Sequence, residues 1–417
     1  IKGLDYLKLR IGGGAVGNQN TPSGSPTPPY TQLITFNTNG FGPGNFVRNI
    51  GNLDLQWESV TTYNAGVDIS LFNRKVDITL DVYKKTTENM LLFSSVPNFL
   101  GLSSVQPPIL NAGKMSNKGI DLAITTYNVN KKNFTWKTNF IFSHYKNVLD
   151  ELISKTSSLD GRIQFNTVTV THTVPGQPVG SFYGGITNGL FTLADATGGL
   201  IPVQFDLPAA ISASTAGTWA GDIRFKDISG PGGKPDGKID NFDVTFIGSP
   251  HPKFTYGLTN NFKYKDFDLS LFLQGSYGAK IYNYLRRQLE GIENLYSNQL
   301  NTVLNRYTAT NTGATMPRFT FNNKNNTSVS DRFVEDGSYL RIQNISIGYN
   351  VPKNIAKKAL MSNVRIYASA QNLYTFTKYT GYDPEIGAFN RTITQMNIDN
   401  GHYPNPRSFT VGINAEF

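Results

Sequence analysis

The last ten residues of the chain, 408–417, alternate strictly between apolar and polar side chains and end on an aromatic residue. The apolar positions are Phe409, Val411, Ile413, Ala415 and Phe417. A period of two predicts a β-strand with one apolar and one polar face. About ten residues of a tilted strand cross the hydrocarbon layer of a bilayer, and transmembrane barrels turn their apolar face towards lipid. The ending of the chain therefore predicts the closing strand of an outer-membrane β-barrel.

The composition offers no segment for a membrane-spanning helix. The chain has 417 residues, enough for one large domain or two ordinary ones, and 39% of them are hydrophobic. Its mean hydropathy is −0.29. No stretch approaches the roughly 20 apolar residues that a membrane helix needs, whereas barrel strands need apolar residues only at alternate positions. The absence of cysteine excludes disulfides, thiolate metal sites and a cysteine nucleophile.

The positive charge of the chain is spread thinly. The net charge is +9, but only 16% of the residues are charged. The densest basic pairs include Lys131-Lys132 and Arg286-Arg287, and they lie far apart in the chain. Because a basic stripe is missing, we expect no binding to nucleic acid. A lumen or loop surface that receives anions is the more natural use of this charge.

Long hairpins dominate the organisation of the chain. Three are predicted, at 62–83 with a turn at 73–75, at 120–142 with a turn at 130–133, and at 256–274 with a turn at Lys265-Asp266. Further strands are predicted at 339–349 and 364–372, and weaker ones at 6–11, 30–37, 167–173 and 318–321. Mid-strand acids on the polar faces are Asp68, Asp77, Asp81 and Asp121. Strands of about ten residues exceed the usual five or six, which favours an all-β transmembrane antiparallel barrel.

The connections between these strands are long on one side. We predict extracellular loops at 87–112, 176–252 and 276–336, with a helix near 281–296 inside the last of them. A short helix is predicted at 353–362, after Pro352. Loops of this length generally carry function.

An Asp/Gly-rich segment in the second loop is the candidate metal site. Residues 236–243 resemble the back half of an EF-hand-type calcium loop, in which Gly237 allows the sharp turn. The candidate ligands for Ca²⁺ are Asp227, Asp236, Asp240 and Asp243. The insert 229–235 lengthens the distance from Asp227 to the others, and the alternative is an Asp/Gly loop tip that binds no metal.

No residue pattern indicates an enzyme. The four histidines, His144, His172, His251 and His402, lack a metal-ligand spacing. Asp383 and Glu385 flank a proline, as residues that solvate a turn do. Aromatic candidates for substrate contact are Phe182, Tyr183, Phe191, Trp219, Tyr277 and Tyr282, with packing or membrane-interface roles as the alternative for each.

Four segments of the chain carry a more specific signal. They are Gly113–Leu122, Asp336–Ile342, Gln371–Glu385 and the terminal Phe417. In their order and spacing, over nearly the whole chain, they resemble the C-terminal half of SusC/RagA-type TonB-linked outer-membrane transporters of Bacteroidota.

This resemblance implies a nutrient importer. Members have a plugged 22-stranded barrel, work with a SusD-like surface lipoprotein, draw energy through TonB, and take up oligosaccharides or peptides. It implies that residues 1–417 are the C-terminal part of the barrel, without a signal peptide, plug domain or TonB box, so that TonB would act through a missing N-terminal region. An open half-barrel exposes two strand edges to lipid, and each unsatisfied backbone group there costs several kcal/mol of stability. We therefore expect that Ile1 marks a cut and Phe417 the true C-terminus.

Two other classes of protein remain open from the residues alone. One is a structural or adhesive outer-membrane barrel without active transport. The other is a secreted β-sandwich that binds glycans, because a sandwich can also place acids on a solvated strand face.

Overall fold

The computed structural model describes residues 3–18, 32–38, 42–49, 51–93, 108–154, 157–163, 168–214, 216–291, 298–320, 325–388 and 392–417. Long strands make up most of this structure. The strands are β1 Leu4–Asn18, β2 Gln32–Thr38, β3 Gly42–Asn49, β4 Glu58–Leu71, β5 Val76–Phe93, β6 Ile109–Lys131, β7 Phe134–Leu152, β8 Leu159–Ile163, β9 Val168–Thr173, β10 Phe182–Gly185, β11 Thr187–Leu190, β12 Ile223–Phe225, β13 Val244–Gly248, β14 Phe254–Tyr264, β15 Phe267–Tyr277, β16 Lys280–Asn283, β17 Val334–Asp336, β18 Tyr339–Asn350, β19 Asn363–Thr377, β20 Ile398–Asp399 and β21 Ser408–Glu416.

Helices in the described residues are few and short. The α-helices are α1 Leu193–Thr197, α2 Tyr284–Gly291 and α3 Lys353–Ala356. The 3₁₀ segments are Asn301–Asn305, Asp331–Phe333, Lys357–Ala359 and Ile393–Gln395. None of the helices in the described part of the chain has the length and apolar character to cross a membrane.

The chain forms two compact units, and each is described by itself. The first comprises residues 1–126, 141–158 and 174–178, and the second comprises 127–140, 159–173 and 179–417. In the first unit the strand order is β1-β4-β5-β6-β7. In the second it is β6-β7-β14-β15-β18-β19-β21, since β6 and β7 contribute residues to both.

Register separates apolar from polar residues in the first unit. Cα partners across β1, β4, β5 and β6 form the apolar rows Leu7–Ile69–Ile78–Ile124, Leu9–Val67–Leu80–Leu122 and Ile11–Ala65–Val82–Ile120. We call the side that carries these rows the apolar face and the other side the polar face. The alternation of side chains along each strand is sufficient to produce the two faces.

The second unit has the same two faces. Its apolar rows include Phe262–Leu269–Ile347–Ala368–Val411 and Leu271–Ile345–Ala370–Phe409. On the polar face, Gly412 leaves room for the ring of Tyr367, because a Cβ at this glycine would lie 2.6 Å from that ring. The predicted terminal strand is thus confirmed, with its apolar residues on one side.

The predicted hairpins are confirmed, with turns at 72–75, 132–133 and 265–266. In the first turn, Phe72, Asn73 and Arg74 adopt φ values of 58°, 58° and 57°. Lys75 N donates to Leu71 O at 3.0 Å and closes the turn. The predicted strands at 339–349, 364–372 and 6–11 are confirmed as β18, β19 and β1. Those predicted at 167–173 and 30–37 are confirmed as β9 and β2 over the described residues, with 167, 30 and 31 outside them.

The predicted loop at 87–112 is wrong at both ends. Strand β5 continues to Phe93, and β6 begins at Ile109. The polar run 86–89 suggests a loop, but here the strand only shifts its pairing register, between Thr87 and Met90. Asn89 takes a φ of 56° at this shift. Such a bulge interrupts the period of two without ending the strand. Residues 94–107 lie outside the described part.

The other two predicted loops contain structure of their own. Region 176–252 holds β10 to β13 and α1, and region 276–336 holds β16, α2 and β17. The predicted helix at 281–296 shortens to α2, with 292–297 outside the described residues, and the helix at 353–362 is confirmed as α3 with its 3₁₀ extension. The strand predicted at 318–321 is wrong, since 318–320 form none and 321 is not described. The cause is that Arg318 turns inward to a buried acid.

Small sheets pack around the main core of the second unit. The sheet β13-β10-β9-β8 and the sheet β17-β16-β20 supply most of this core. Its buried members are Ile163, Val170, Phe182, Tyr282, Tyr284, Phe333 and Ile398. The loops of this unit are therefore packed structure, consistent with the burial of apolar side chains that stabilises a fold.

Candidate functional site

The apolar face is exposed in each unit. In the first unit Ile11 is 90% exposed, and in the second Val411 and Ile413 are 79% and 68% exposed. A soluble protein does not present contiguous apolar rows of this extent to water, whereas a membrane wall requires them. A β-sandwich would cover these rows with a second sheet. The exposed face therefore argues against the secreted sandwich.

Aromatic residues border the apolar rows of the second unit at both ends. Near the hairpin turns, the rings of Phe267 and Tyr349 lie 4.7 Å apart. At the other end, Phe254 stacks on Tyr277 at 5.1 Å, and Tyr374 meets Phe376 at 4.7 Å. From Phe267 to Tyr277 the strand spans ten steps, about 33 Å, which a tilt of about 40° reduces to about 25 Å. This is the height of the apolar band of an outer-membrane barrel.

The polar face of the first unit carries a charge network. Arg10 Nε donates to Asp68 Oδ2 at 2.9 Å, and Arg10 Nη2 donates to Asp81 Oδ2 at 2.9 Å. Ser143 Oγ donates to Asp121 Oδ1 at 2.6 Å, and Ser70 Oγ donates to Asp77 Oδ1 at 2.6 Å. The prediction that these mid-strand acids share the polar face is confirmed.

The polar face of the second unit carries a pocket of about 420 Å³ near the hairpin turns. Tyr127, Lys137, Lys263 and Asp268 are among its lining residues. The ammonium group of Lys137 lies 5.1 Å from the ring centre of Tyr127. Arg365 Nε donates to Asp268 Oδ1 at 3.0 Å. Charged and hydrogen-bonding groups on this face suit a water-filled interior.

A buried ion pair fixes the loop region of the second unit. Arg318 Nε and Nη2 donate to the two carboxylate oxygens of Asp222, each at 2.9 Å. Asn326 Nδ2 donates to Asp222 Oδ1, also at 2.9 Å. Asp222 is fully buried and Arg318 nearly so. No local sequence pattern predicts this cluster, because Asp222 lies about a hundred positions from Arg318 and Asn326.

A second ion-pair cluster explains the Asp383 and Glu385 pair. Arg341 Nη1 donates to Glu385 Oε2 at 2.8 Å, and Arg341 Nη2 donates to Asp383 Oδ1. Asn405 N donates to the other oxygen of Asp383 at 3.1 Å. The two carboxylates thus hold a loop against a strand, in place of the simple solvation expected of them.

The four aspartates of the candidate calcium site brace their own loop. Gly237 N donates to Asp227 Oδ2 at 2.7 Å, and Lys238 N donates to Asp236 Oδ1 at 3.0 Å. Gly237, which is expected to allow a sharp turn, adopts a positive φ of 86°.

The two other aspartates accept backbone bonds as well. Phe242 N donates to Asp240 Oδ1 at 2.8 Å, and Ile228 N donates to Asp243 Oδ1 at 2.7 Å. Asp227 Oδ1 is buried and accepts no hydrogen bond from the described residues. Within the described ranges, no three acidic or histidine side chains converge as a metal-holding group. Calcium binding stays a prediction.

The aromatic candidates divide by burial. Phe182, Phe191 and Tyr282 are fully buried or nearly so and serve packing, whereas Tyr277 is 50% exposed at the membrane border. Trp219 is half-buried.

Tyr183 differs from the buried candidates. It is half-buried, and its ring lies 4.7 Å from His172 and 5.3 Å from Phe246. His172 Nδ1 lies 2.9 Å from Asp160 Oδ1. Tyr183, Phe246, His172 and Asp160 form a partly exposed group that we call the aromatic platform.

Comparison with known proteins extends these observations. Residues 17–373 match the family described as TonB dependent receptor-like, beta-barrel. TonB-dependent receptor P3 of Formosa agariphila is 34% identical over 426 residues, covering 98% of this chain and 39% of that protein. TonB-dependent receptor SusC of Bacteroides thetaiotaomicron is 26% identical over 430 residues, covering 99% and 38%.

Among solved structures, that of the RagAB peptide transporter superposes with a TM-score of 0.76 at 22% identity. The superposition covers 100% of this chain and 41% of that chain. The chain thus spans about two fifths of the length of these relatives.

Proposed function

Because the chain belongs to the TonB-dependent receptor-like β-barrel family, we propose that it forms the wall and extracellular loops of an importer that takes up oligosaccharides or peptides. Membership in this family confirms the predicted transmembrane barrel and the outer-membrane location. The relatives carry the names of receptors, in agreement with a non-enzymatic role.

The observation that carries the proposal is the pairing of an exposed apolar face with a charged polar face on the same strands. An apolar exterior anchors the wall in lipid, while ion pairs such as Arg10 with Asp68 suit a water-filled interior through which a polar solute passes. We propose a SusD-like lipoprotein as the partner at the extracellular mouth, and TonB as the source of energy.

The aromatic platform is the proposed substrate contact within the loops. Flat aromatic faces bind sugar rings and peptide side chains alike, and the adjacent Asp160 and His172 supply hydrogen-bonding groups. The platform therefore suits both substrate classes.

Uptake by cells that produce the receptor tests the proposal. Labelled oligosaccharides and peptides are offered separately, with and without an uncoupler of the proton-motive force. We expect one class to accumulate, energy-dependently, and Phe246→Ala to reduce this uptake several-fold while the buried-core control Phe182→Leu retains it. Accumulation of neither class, or accumulation that survives the uncoupler, would favour the non-transporting adhesive barrel.

A further inference from the structure

Three lysines form a row on the apolar face of the first unit. Lys84 and Lys118 are directly opposite Cα partners across β5 and β6, and Tyr63 is the partner of Lys84 across β4 and β5. The side chains of Lys84, Lys118 and Tyr63 are exposed.

Lys146 on β7 extends the row. On the polar face, Asn147 Nδ2 donates to Asn117 Oδ1 at 2.8 Å, and Ser143 Oγ donates to Asp121 Oδ1. Odd-numbered residues of β6 and β7 therefore share the polar face, and the exposed Lys146 lies on the apolar face opposite Lys118. We call Lys84, Lys118 and Lys146 the lysine row.

The lysine row lies at the border of the apolar band. The row next to it is Ile11–Ala65–Val82–Ile120, and further apolar rows follow towards the hairpin turn at 72–75. The apolar band has one border near this short turn and another far from it, and Tyr63 and the lysine row lie at the far border. Short turns of outer-membrane barrels face the periplasm, so the lysine row lies at the outer leaflet.

The row concentrates positive charge without a matching acid. Neighbouring strands are about 4.8 Å apart, so three ammonium groups share roughly 10 Å of surface. Like charges on directly opposite residues repel one another. Among the described residues, none of the three lysines forms an ion pair.

The nearest acids on this side of the strands lie farther from the apolar band and have other partners. Glu88 pairs with Lys114 at 2.8 Å, and Asp150 accepts a bond from Ser116 at 3.0 Å. An anion from outside the chain is what would relieve the repulsion.

We propose that the lysine row binds the phosphate group of a phosphorylated glycolipid in the outer leaflet. The exposed ring of Tyr63 lies at the level of the head groups, and the apolar rows beside it receive the acyl chains. Each lysine donates up to three hydrogen bonds to phosphate oxygens as a point charge. Of the functional conclusions above, this proposal needs only the outer-membrane location, and it does not depend on whether the receptor transports a nutrient.

Binding of lipid A to the purified receptor in detergent tests the proposal. The probes are phosphorylated lipid A, enzymatically dephosphorylated lipid A and inorganic phosphate. We expect the triple variant Lys84→Gln/Lys118→Gln/Lys146→Gln to weaken the binding of phosphorylated lipid A at least tenfold. The matched control Lys75→Gln/Lys131→Gln/Lys132→Gln removes the same charge from two hairpin turns and the adjoining end of β6, and it should bind as the unmodified receptor does.

Three results would overturn the proposal. They are unchanged binding in the first triple variant, equal binding of dephosphorylated lipid A, and full competition by inorganic phosphate at the concentration of the lipid, which would indicate a site for free anions. The heat-dependent shift of the folded barrel in gel electrophoresis must be the same for both triple variants, so that a loss of binding is not a loss of folding.

Discussion

A charge placed on the apolar face should cost far more stability than the same charge one residue away. Leu271 lies on the apolar face of β15, between its partners Asn260 and Ile345, whereas Ser270 lies on the polar face, between Asn261 and Ser346. Substituting each with arginine keeps the strand, the sheet and the new side chain constant. Only the face changes.

The depth of Leu271 follows from the strand geometry. It lies four residues from Phe267 and six from Tyr277, the aromatic residues at the two borders. These steps are about 13 Å and 20 Å along the strand, or about 10 Å and 15 Å along the membrane normal at a tilt of about 40°. Leu271 is therefore near the middle of the hydrocarbon layer, where an arginine costs about 2–4 kcal/mol.

Equilibrium unfolding of the receptor in lipid vesicles measures this cost. We expect Leu271→Arg to lower the free energy of unfolding by about 2–4 kcal/mol, a factor of about 30 to 1,000 in the folding equilibrium. Phe267→Arg at the border should cost at most about 1 kcal/mol, and Ser270→Arg should cost little. Equal losses for Leu271→Arg and Ser270→Arg would refute the assignment of the two faces.

Three further predictions concern the loops of the second unit. Asp222→Ala leaves the charge of Arg318 buried and should destabilise the loops by about 3–5 kcal/mol, seen as faster proteolysis, whereas the double variant with Arg318→Met should recover part of the loss. Burial holds the pKa of His251 below its ordinary value of 6.5, although a hydrogen bond to the Val179 carbonyl acts in the opposite direction. The stability that neutral His251 contributes is therefore complete above pH 6.5 and is lost as the pH falls below 6.5. His251→Gln should flatten this pH dependence in unfolding measured from about pH 5 to 8, and an unchanged slope would contradict the prediction. Calcium titration should show saturable binding that Asp236→Ala abolishes, and no binding at millimolar calcium would reject the site.

The strands of the wall could be predicted from the sequence because their signal is local. A period of two, a length of about ten residues and a two- to four-residue turn are all present within one hairpin, as in 254–277. The same local signal failed at 86–89, where a bulge interrupts the alternation while pairing continues. Local patterns therefore identify regular strands but end them too early at bulges.

The loop region could not be predicted, because its contacts join distant parts of the chain. Asp222 meets Arg318 across 96 positions, and Arg341 meets Asp383 across 42. Neither pair has a spacing that distinguishes it from solvated charges. Burial selects the partners, and burial is known only once the small sheets have formed.

One register determines both the membrane surface and the lysine row. Pairing of Lys84 with Lys118 belongs to the same ladder that aligns Leu80 with Leu122. A slip of one residue between β5 and β6 would turn Lys118 towards the polar face and Asp121 towards lipid, where its carboxylate would lose the bond from Ser143. The apolar rows thus hold the lysines on the lipid-facing side of the strands, because a one-residue slip that turns Lys118 away from lipid also buries Asp121 in hydrocarbon.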